Sequence, residues 1–320
     1  MNVYQDNLPE EEKSKPSKHQ DNPNGGIFPR SALNDYIPVW EKIVFFLIGF
    51  LGLNIISVIV SIVIQSIPGM LVRTENGYLK VTSLASALVN FLSYALLVML
   101  FLLFLFLDKR GNYKRYFASY AHPKAYLFAF VGLLAIYLMQ ALFSVCYSRI
   151  TFYSSNDNQT SLESLSHSYP ALLFFMTVFF APFCEELTYR VGLLDAIGHK
   201  YKFRWLGIVL SAIFFGFIHF DFSAITNYWA VLADSESTAS EITKAMQSVQ
   251  IEFLNLPIYI MSGFFLGLTY ALSGEIAAST TAHMVNNLIG FLMILVQAYA
   301  SKGDSSSAVS LLSFLPHFLF

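Results

Sequence analysis

Residues Ala171–Lys200 read ALLFFMTVFFAPFCEELTYRVGLLDAIGHK, and this stretch decides the fold. It is long enough to cross a hydrocarbon core of ~30 Å, for which about 20 helical residues suffice. Yet it places Glu185, Glu186 and Arg190 near its middle. A charged side chain at the centre of a transmembrane helix costs roughly 2.5–3.5 kcal/mol on insertion scales, so such groups pair, face a cavity and mark function. On a helix Glu186 and Arg190 stand at i and i+4 on one face, while Glu185 is turned about 100° away, which leaves one carboxylate over. The plain alternative puts all three at an aqueous interface with their charged ends in water. Against it, VGLLDAIG continues the apolar pattern and the basic cluster begins only at Lys200. Pro182 is placed to kink the helix beside the two carboxylates.

The rest of the chain has the same solvent preference. Of its 320 residues 55% are hydrophobic and 12% charged, about half the usual charged fraction. Apolar runs cover Ile43–Ile67, Val81–Leu107, Tyr126–Tyr147, the segment starting near Ala171, Trp205–Phe220, Phe253–Leu272 and Ile276–Tyr299. These are seven spans, and the first two contain no charged residue. Residues 308–320 are apolar but short for a perpendicular span and contain Pro316, so they are read as an interfacial segment or an eighth helix. The expected fold is all-α: a polytopic transmembrane bundle of about seven to eight helices with a polar intramembrane cavity.

Four regions are expected: a polar, disordered tail over 1–37, three amino-terminal helices over 38–150, a catalytic core over 169–300 and a short apolar tail over 301–320. The first thirty residues contain no apolar stretch of a cleavable leader, so the first span is expected to direct targeting.

Net charge is −2, so no global field attracts nucleic acid. Lys109, Arg110, Lys114, Arg115 and Lys124 crowd one connection and Lys200, Lys202 and Arg204 another. Positively charged loops face the cytoplasm, and with Lys13, Lys15, Lys18, Arg30 and Lys42 before or at the first span, the amino terminus is expected there too. The polar stretch 223–249 falls on the opposite side, as a gate or a disordered connection. The expected location is a bacterial cell membrane. Cys146 and Cys184 lie in apolar segments without the spacing of a disulfide framework or a metal pair, and are read as core packing.

Two further apolar spans carry groups able to do chemistry. The fifth ends SAIFFGFIHFD, placing His219 about 22 Å beyond Arg204 along a helix, close to the depth of Glu185. The bland reading is an interfacial histidine beside Asp221. The seventh contains STTAHMVNNLIG, where His283 and Asn287 stand at i and i+4 and address one ligand together. Alternatively Asn287, or its neighbour Asn286, only joins helices by hydrogen bonding.

Together these residues form EExxxR, FxxxH and HxxxN, in order and each on an apolar segment. The set resembles the CPBP family of intramembrane proteases, which includes type II CAAX prenyl endopeptidases and proteins of bacteriocin self-immunity. The resemblance covers roughly Ala171 to Tyr299 and leaves the first three spans outside. It implies that Glu185 and His219 activate a water, that Arg190 holds Glu186 in support, and that His283 and Asn287 bind the tetrahedral oxyanion. A competing assignment makes Glu185, His219 and His283 ligands of a catalytic zinc with water in its fourth position. No HExxH, GxSG or GxGD motif points to another intramembrane chemistry.

The function expected is intramembrane hydrolysis of a peptide bond, with a peptide or membrane-protein substrate as partner and the lipid bilayer as surroundings. Two other readings are a non-catalytic immunity or scaffold protein of the same fold, and a proton-coupled transporter using Glu185 and Glu186. The lack of broken-helix repeat pairs counts against the transporter.

Overall fold

The computed structural model describes residues 26–74, 77–108, 110–147, 165 and 168–300. The expected interfacial segment at 308–320 and most of the connection 149–170 lie outside these.

The described residues form a bundle of long helices: α1 (Ala32–Tyr36), α2 (Val39–Gln65), α3 (Ser83–Leu107), α4 (Asn112–Ala118), α5 (Pro123–Tyr147), α6 (Pro170–Ile197), α7 (Arg204–Phe217), α8 (Phe222–Ala233), α9 (Ala239–Ser273) and α10 (Ile276–Ala300). Six of them are long and apolar enough to span a membrane, and α7 with α8 passes the same test only as a pair bent by 47°, the shape of a broken span or a re-entrant loop. Six of the seven expected spans are therefore matched by single long helices. Their large apolar side chains point outward as well as inward: on α2 alone Ile55, Val58, Ile59, Ile62 and Val63 are exposed. Such a surface suits acyl chains, and helices satisfy their own backbone groups in that medium. The chain is an integral membrane protein.

Two details depart from expectation. The stretch 223–249 is not a loose connection, because Asp221 caps α8 by accepting from the Ser223 N–H at 2.7 Å. Thr238 and Glu241 then form a reciprocal capping box that starts α9, leaving only a short turn between the helices. A small antiparallel hairpin, β1 (Leu71–Arg73) with β2 (Leu79–Val81), joins α2 to α3 and was not expected.

Burial ranks the helices. The apolar stretch of α6 is 56% buried inside the protein, that of α2 only 11%, so α6 is central and its charges are enclosed. Small residues let neighbours approach it, as they do in membrane bundles generally. A Cβ on Gly192 would sit 2.7 Å from the Phe46 backbone nitrogen of α2, so only glycine permits that crossing.

Of the expected disordered tail over 1–37, residues 1–25 lie outside those described and residues 26–37 are ordered. Residues 26–37 pack across one end of the bundle, with Phe28, Leu33 and Ile37 buried in the main apolar cluster beside Leu194 and Tyr270. Ser31 Oγ lies 3.0 Å from Tyr270 Oη, and Lys42 Nζ donates to the Asn34 carbonyl and to Asn34 Oδ1, each at 2.7 Å. Tyr270 in turn donates to Asp195, which pairs with Arg204. These bonds offset part of the cost of enclosing the groups, although Arg204 Nε and Nη2 are buried without a partner among the described residues. The two basic connections flank the same end: Arg115 stacks on Tyr36 at 3.9 Å and Lys124 pairs with Glu275 at 3.0 Å.

His199 stands beside this segment, 3.1 Å from Lys42 Nζ. Burial and the Lys42 ammonium hold its pKa below the ordinary 6.5. A depressed histidine pKa favours the neutral form in the folded state, so its stabilising contribution is complete above about 6.5 and declines as pH falls through that value. Protection factors of the residue 26–37 amides, corrected for the intrinsic pH dependence of exchange, should accordingly fall between pH 7 and pH 5, and His199→Gln should flatten the change.

Candidate functional site

The centre of α6 is not a regular α-helix. It runs as α over Pro170–Phe174, as π-helix over Phe175–Phe180, as α over Ala181–Glu186 and as π-helix again over Leu187–Leu194. π-Turns are rare and concentrate at functional sites. One local cause is Pro182: the Ala181 N–H bonds Met176 O, five residues back, and Pro182 has no N–H to give to the next carbonyl, that of Thr177. Asn287 of α10 supplies the missing donor, with Nδ2 2.9 Å from Thr177 O. Asn286 Nδ2 approaches Asn287 Oδ1 at 3.4 Å.

Glu185 and Glu186 lie between the two π-segments and are treated differently. Glu186 is fully buried. Arg190 Nε donates to its Oε2 at 3.1 Å and Nη2 to its Oε1 at 3.3 Å. The arginine is anchored further by Nη1 donating to Ser211 Oγ at 2.9 Å, and Ser211 donates to the Tyr189 carbonyl at 2.8 Å. Phe215 lies 5.2 Å beneath the guanidinium. His283 Nδ1 is 3.0 Å from Glu186 Oε1; a carboxylate only accepts, so Nδ1 carries the proton and donates.

That bond aims the other imidazole nitrogen at Glu185, with His283 Nε2 3.6 Å from Glu185 Oε2, an ion-pair distance rather than a hydrogen bond. Glu185 faces a cavity of about 1130 Å³ shared with His219, His283, Asn287 and Tyr94. His219 Nδ1 is 2.9 Å from the Phe215 carbonyl, which fixes the proton on Nδ1 and leaves Nε2 as an acceptor in the neutral ring. Tyr259 stacks on this imidazole with centroids 4.6 Å apart. Phe215 lies 4.9 Å from the His219 ring and 5.6 Å from the His283 ring, so the two imidazoles are no farther apart than those separations laid end to end.

Four of the six residues singled out in the sequence, Glu185, His219, His283 and Asn287, thus line one cavity, and Glu186 with Arg190 forms the buried pair behind it. The zinc assignment fares differently. Among the described residues no three His, Cys, Asp or Glu side chains gather closely enough to hold a metal ion as they stand. Both imidazoles nevertheless keep Nε2 free while Nδ1 is engaged, the arrangement in which histidine ligates a metal. Sequence reasoning also passed over Tyr259 and Ser211. An apolar span with one tyrosine or serine carries no signal that singles it out.

Residues 167–289 match the family model described as Type II CAAX prenyl endopeptidase Rce1-like. Over these residues the chain is similar to that endopeptidase family. The match takes in α6 to most of α10 and leaves α1–α5 outside, so the family core contains every side chain of the Glu185, His219 and His283 cluster. An uncharacterized protein of Mycoplasma capricolum subsp. capricolum is 24% identical over 186 residues, 55% of this chain and 45% of that protein. The chain therefore spans less than half the length of that relative. No solved structure matches. Helices α2, α3 and α5, outside the match, supply further parts of the cavity wall through Gly49, Tyr94 and Gln140 among others.

Proposed function

We propose that this protein is an intramembrane endopeptidase in which Glu185 activates the attacking water. The observation that carries this reading is the convergence of Glu185, His219 and His283 on one cavity inside a lipid-facing bundle, supported by the similarity of residues 167–289 to the type II CAAX prenyl endopeptidases. Glu185 takes a proton from water as the oxygen attacks the scissile carbonyl, and later returns it to the departing amine. His219, held as the Nδ1–H tautomer by Phe215, presents Nε2 to the same water. His283 spends one N–H on Glu186, so it stabilises an oxyanion only as the imidazolium, with Nε2–H turned to the cavity. The Arg190-held Glu186 carboxylate accepts from Nδ1 and orients the ring, much as a buried aspartate orients histidine in serine hydrolases. Asn287 commits one Nδ2 hydrogen to Thr177 and keeps the other for the oxyanion. Such contacts are worth roughly 2.7–4 kcal/mol in a transition state.

The bundle end that carries residues 26–37 and both basic connections faces the cytoplasm in this reading, since orientation follows Lys and Arg. The substrate is a peptide or a membrane protein.

Cleavage of a fluorogenic prenylated peptide by purified full-length protein in liposomes tests the proposal. His219→Ala should lower kcat by about 100-fold or more with an unchanged elution profile in detergent. Cleavage by wild type that survives both His219→Ala and Glu185→Ala overturns it, as does the absence of cleavage of any peptide or membrane-protein substrate. An immunity or scaffold role would instead show a cellular phenotype indifferent to Glu185.

A further inference from the structure

The buried face of α5 repeats every third or fourth residue as Ala125, Ala129, Gly132, Ile136 and Gln140. Four of the five are small or apolar. Gln140 is not, although it is only 4% exposed and lines the same cavity as Glu185. Its Oε1 is enclosed and has no hydrogen-bond partner among the described residues. An unmet buried acceptor costs about 1–3 kcal/mol, and here leucine would have filled the same space without that cost. The group is explained if a ligand supplies the hydrogen bond.

A second orphaned acceptor belongs to Asn286, which lines the same cavity. The Thr177 carbonyl can only accept, so it fixes which end of Asn287 is the NH2 group. Asn287 Oδ1 then receives the NH2 of Asn286. This chain of constraints leaves Asn286 with its Oδ1 outward, and that atom too is enclosed without a partner among the described residues. Both free atoms are acceptors, so the matching ligand must present donors.

α5 and α10 start at the same end of the bundle, where Ala125 packs on Ala277 and Ala278 and Ser119 Oγ accepts from the Ala277 N–H at 3.0 Å. At 1.5 Å per residue, Gln140 is about 26 Å and Asn286 about 15 Å from that end. The difference of roughly 10 Å is the reach of about three residues of extended peptide. Backbone N–H groups are the one set of donors that any polypeptide presents at such intervals.

From this geometry we infer that Gln140 and Asn286 are positioning residues that accept hydrogen bonds from main-chain N–H groups of an extended peptide substrate, on either side of the level where Glu185 acts or along one arm leading from it. The inference rests on the endopeptidase reading for the identity of the ligand, but it concerns binding rather than hydrolysis. Recognition of the main chain makes the site tolerant of side-chain sequence along this arm.

The test uses full-length Glu185→Gln protein in nanodiscs and a fluorescein-labelled prenylated peptide, with single backbone amides replaced in turn by esters. An ester removes one N–H and leaves the side chains intact. Two ester positions about three residues apart should each raise Kd about 5- to 10-fold. In the Gln140→Leu background one of those two penalties should vanish, and in Asn286→Leu the other. Gln140→Met, which keeps the chain length, serves if the leucine variant elutes as aggregate. An ester profile that is flat, or that is identical in all backgrounds, overturns the inference, as does failure of the peptide to bind. Gln140-dependent binding without hydrolysis by wild-type protein would retain this site and sink the endopeptidase reading. Hydrolysis with a Gln140-independent ester profile would do the reverse.

Discussion

Glutamine in place of Glu185 should lower kcat for peptide hydrolysis by about 100- to 10,000-fold, the range for loss of a general base, with little change in KM or in thermal stability. The expectation follows from how lightly Glu185 is held. Its nearest charged neighbour is His283 Nε2 at 3.6 Å, and it borders the cavity instead of being sealed in the bundle. Its enclosed neighbours, His283 and Tyr94, still meet an amide oxygen in the variant. Glutamine keeps the volume and the ability to accept a hydrogen bond but takes no proton from water. Single-turnover cleavage in detergent, with a melting curve on the same sample, checks both halves. A Glu185→Gln protein that turns over within tenfold of wild type would remove this residue from the reaction.

Arg190→Met should act through the opposite quality. Arg190 and Glu186 are both fully buried and joined by two hydrogen bonds. Breaking a buried pair by removing one partner costs about 3–5 kcal/mol, because the remaining charge is left without compensation. The variant should melt far below wild type, whereas Glu186→Gln combined with Arg190→Met should recover much of the loss. Recovery of stability need not bring back activity: the double variant gives His283 Nδ1 a neutral amide instead of the carboxylate that orients the ring. Melting temperatures of the two single variants and the double variant, with kcat for the double variant, separate the fold from the reaction. Equal melting of Arg190→Met and wild type would contradict the buried pair.

The spans were legible because a membrane helix needs only a long apolar run, and α2, α3, α5, α6, α9 and α10 each announce one. The i, i+4 pair Glu186–Arg190 was legible for a similar reason, since it depends on one helix alone. What lies between helices was harder to read. The periodicity of α10 puts His283 and Asn287 on one face, but not that this face meets α6, where His283 takes Glu186 and Asn287 takes the Thr177 carbonyl. Pro182 suggested a kink; that the helix would instead pass into π-turns depends on which neighbour satisfies the freed carbonyl. The packing of 26–37 was hidden by polar composition, because Phe28, Leu33 and Ile37 are few and spread among residues typical of a linker. The capping box at Thr238 and Glu241 was visible in the letters, yet it lost to the overall polarity of its surroundings.

The strap formed by residues 26–37 sets a timetable for biogenesis. Its partners at Tyr270 and at Gly274, whose Cα leaves room for the Arg30 carbonyl, are made some 240 residues after it. A contact of such long sequence separation closes late, since a large loop must be gathered first. The ribosome therefore delivers the bottom of the barrel first and its fastening last, and the bundle stays unlatched at that end until the hairpin of α9 and α10 has entered the bilayer.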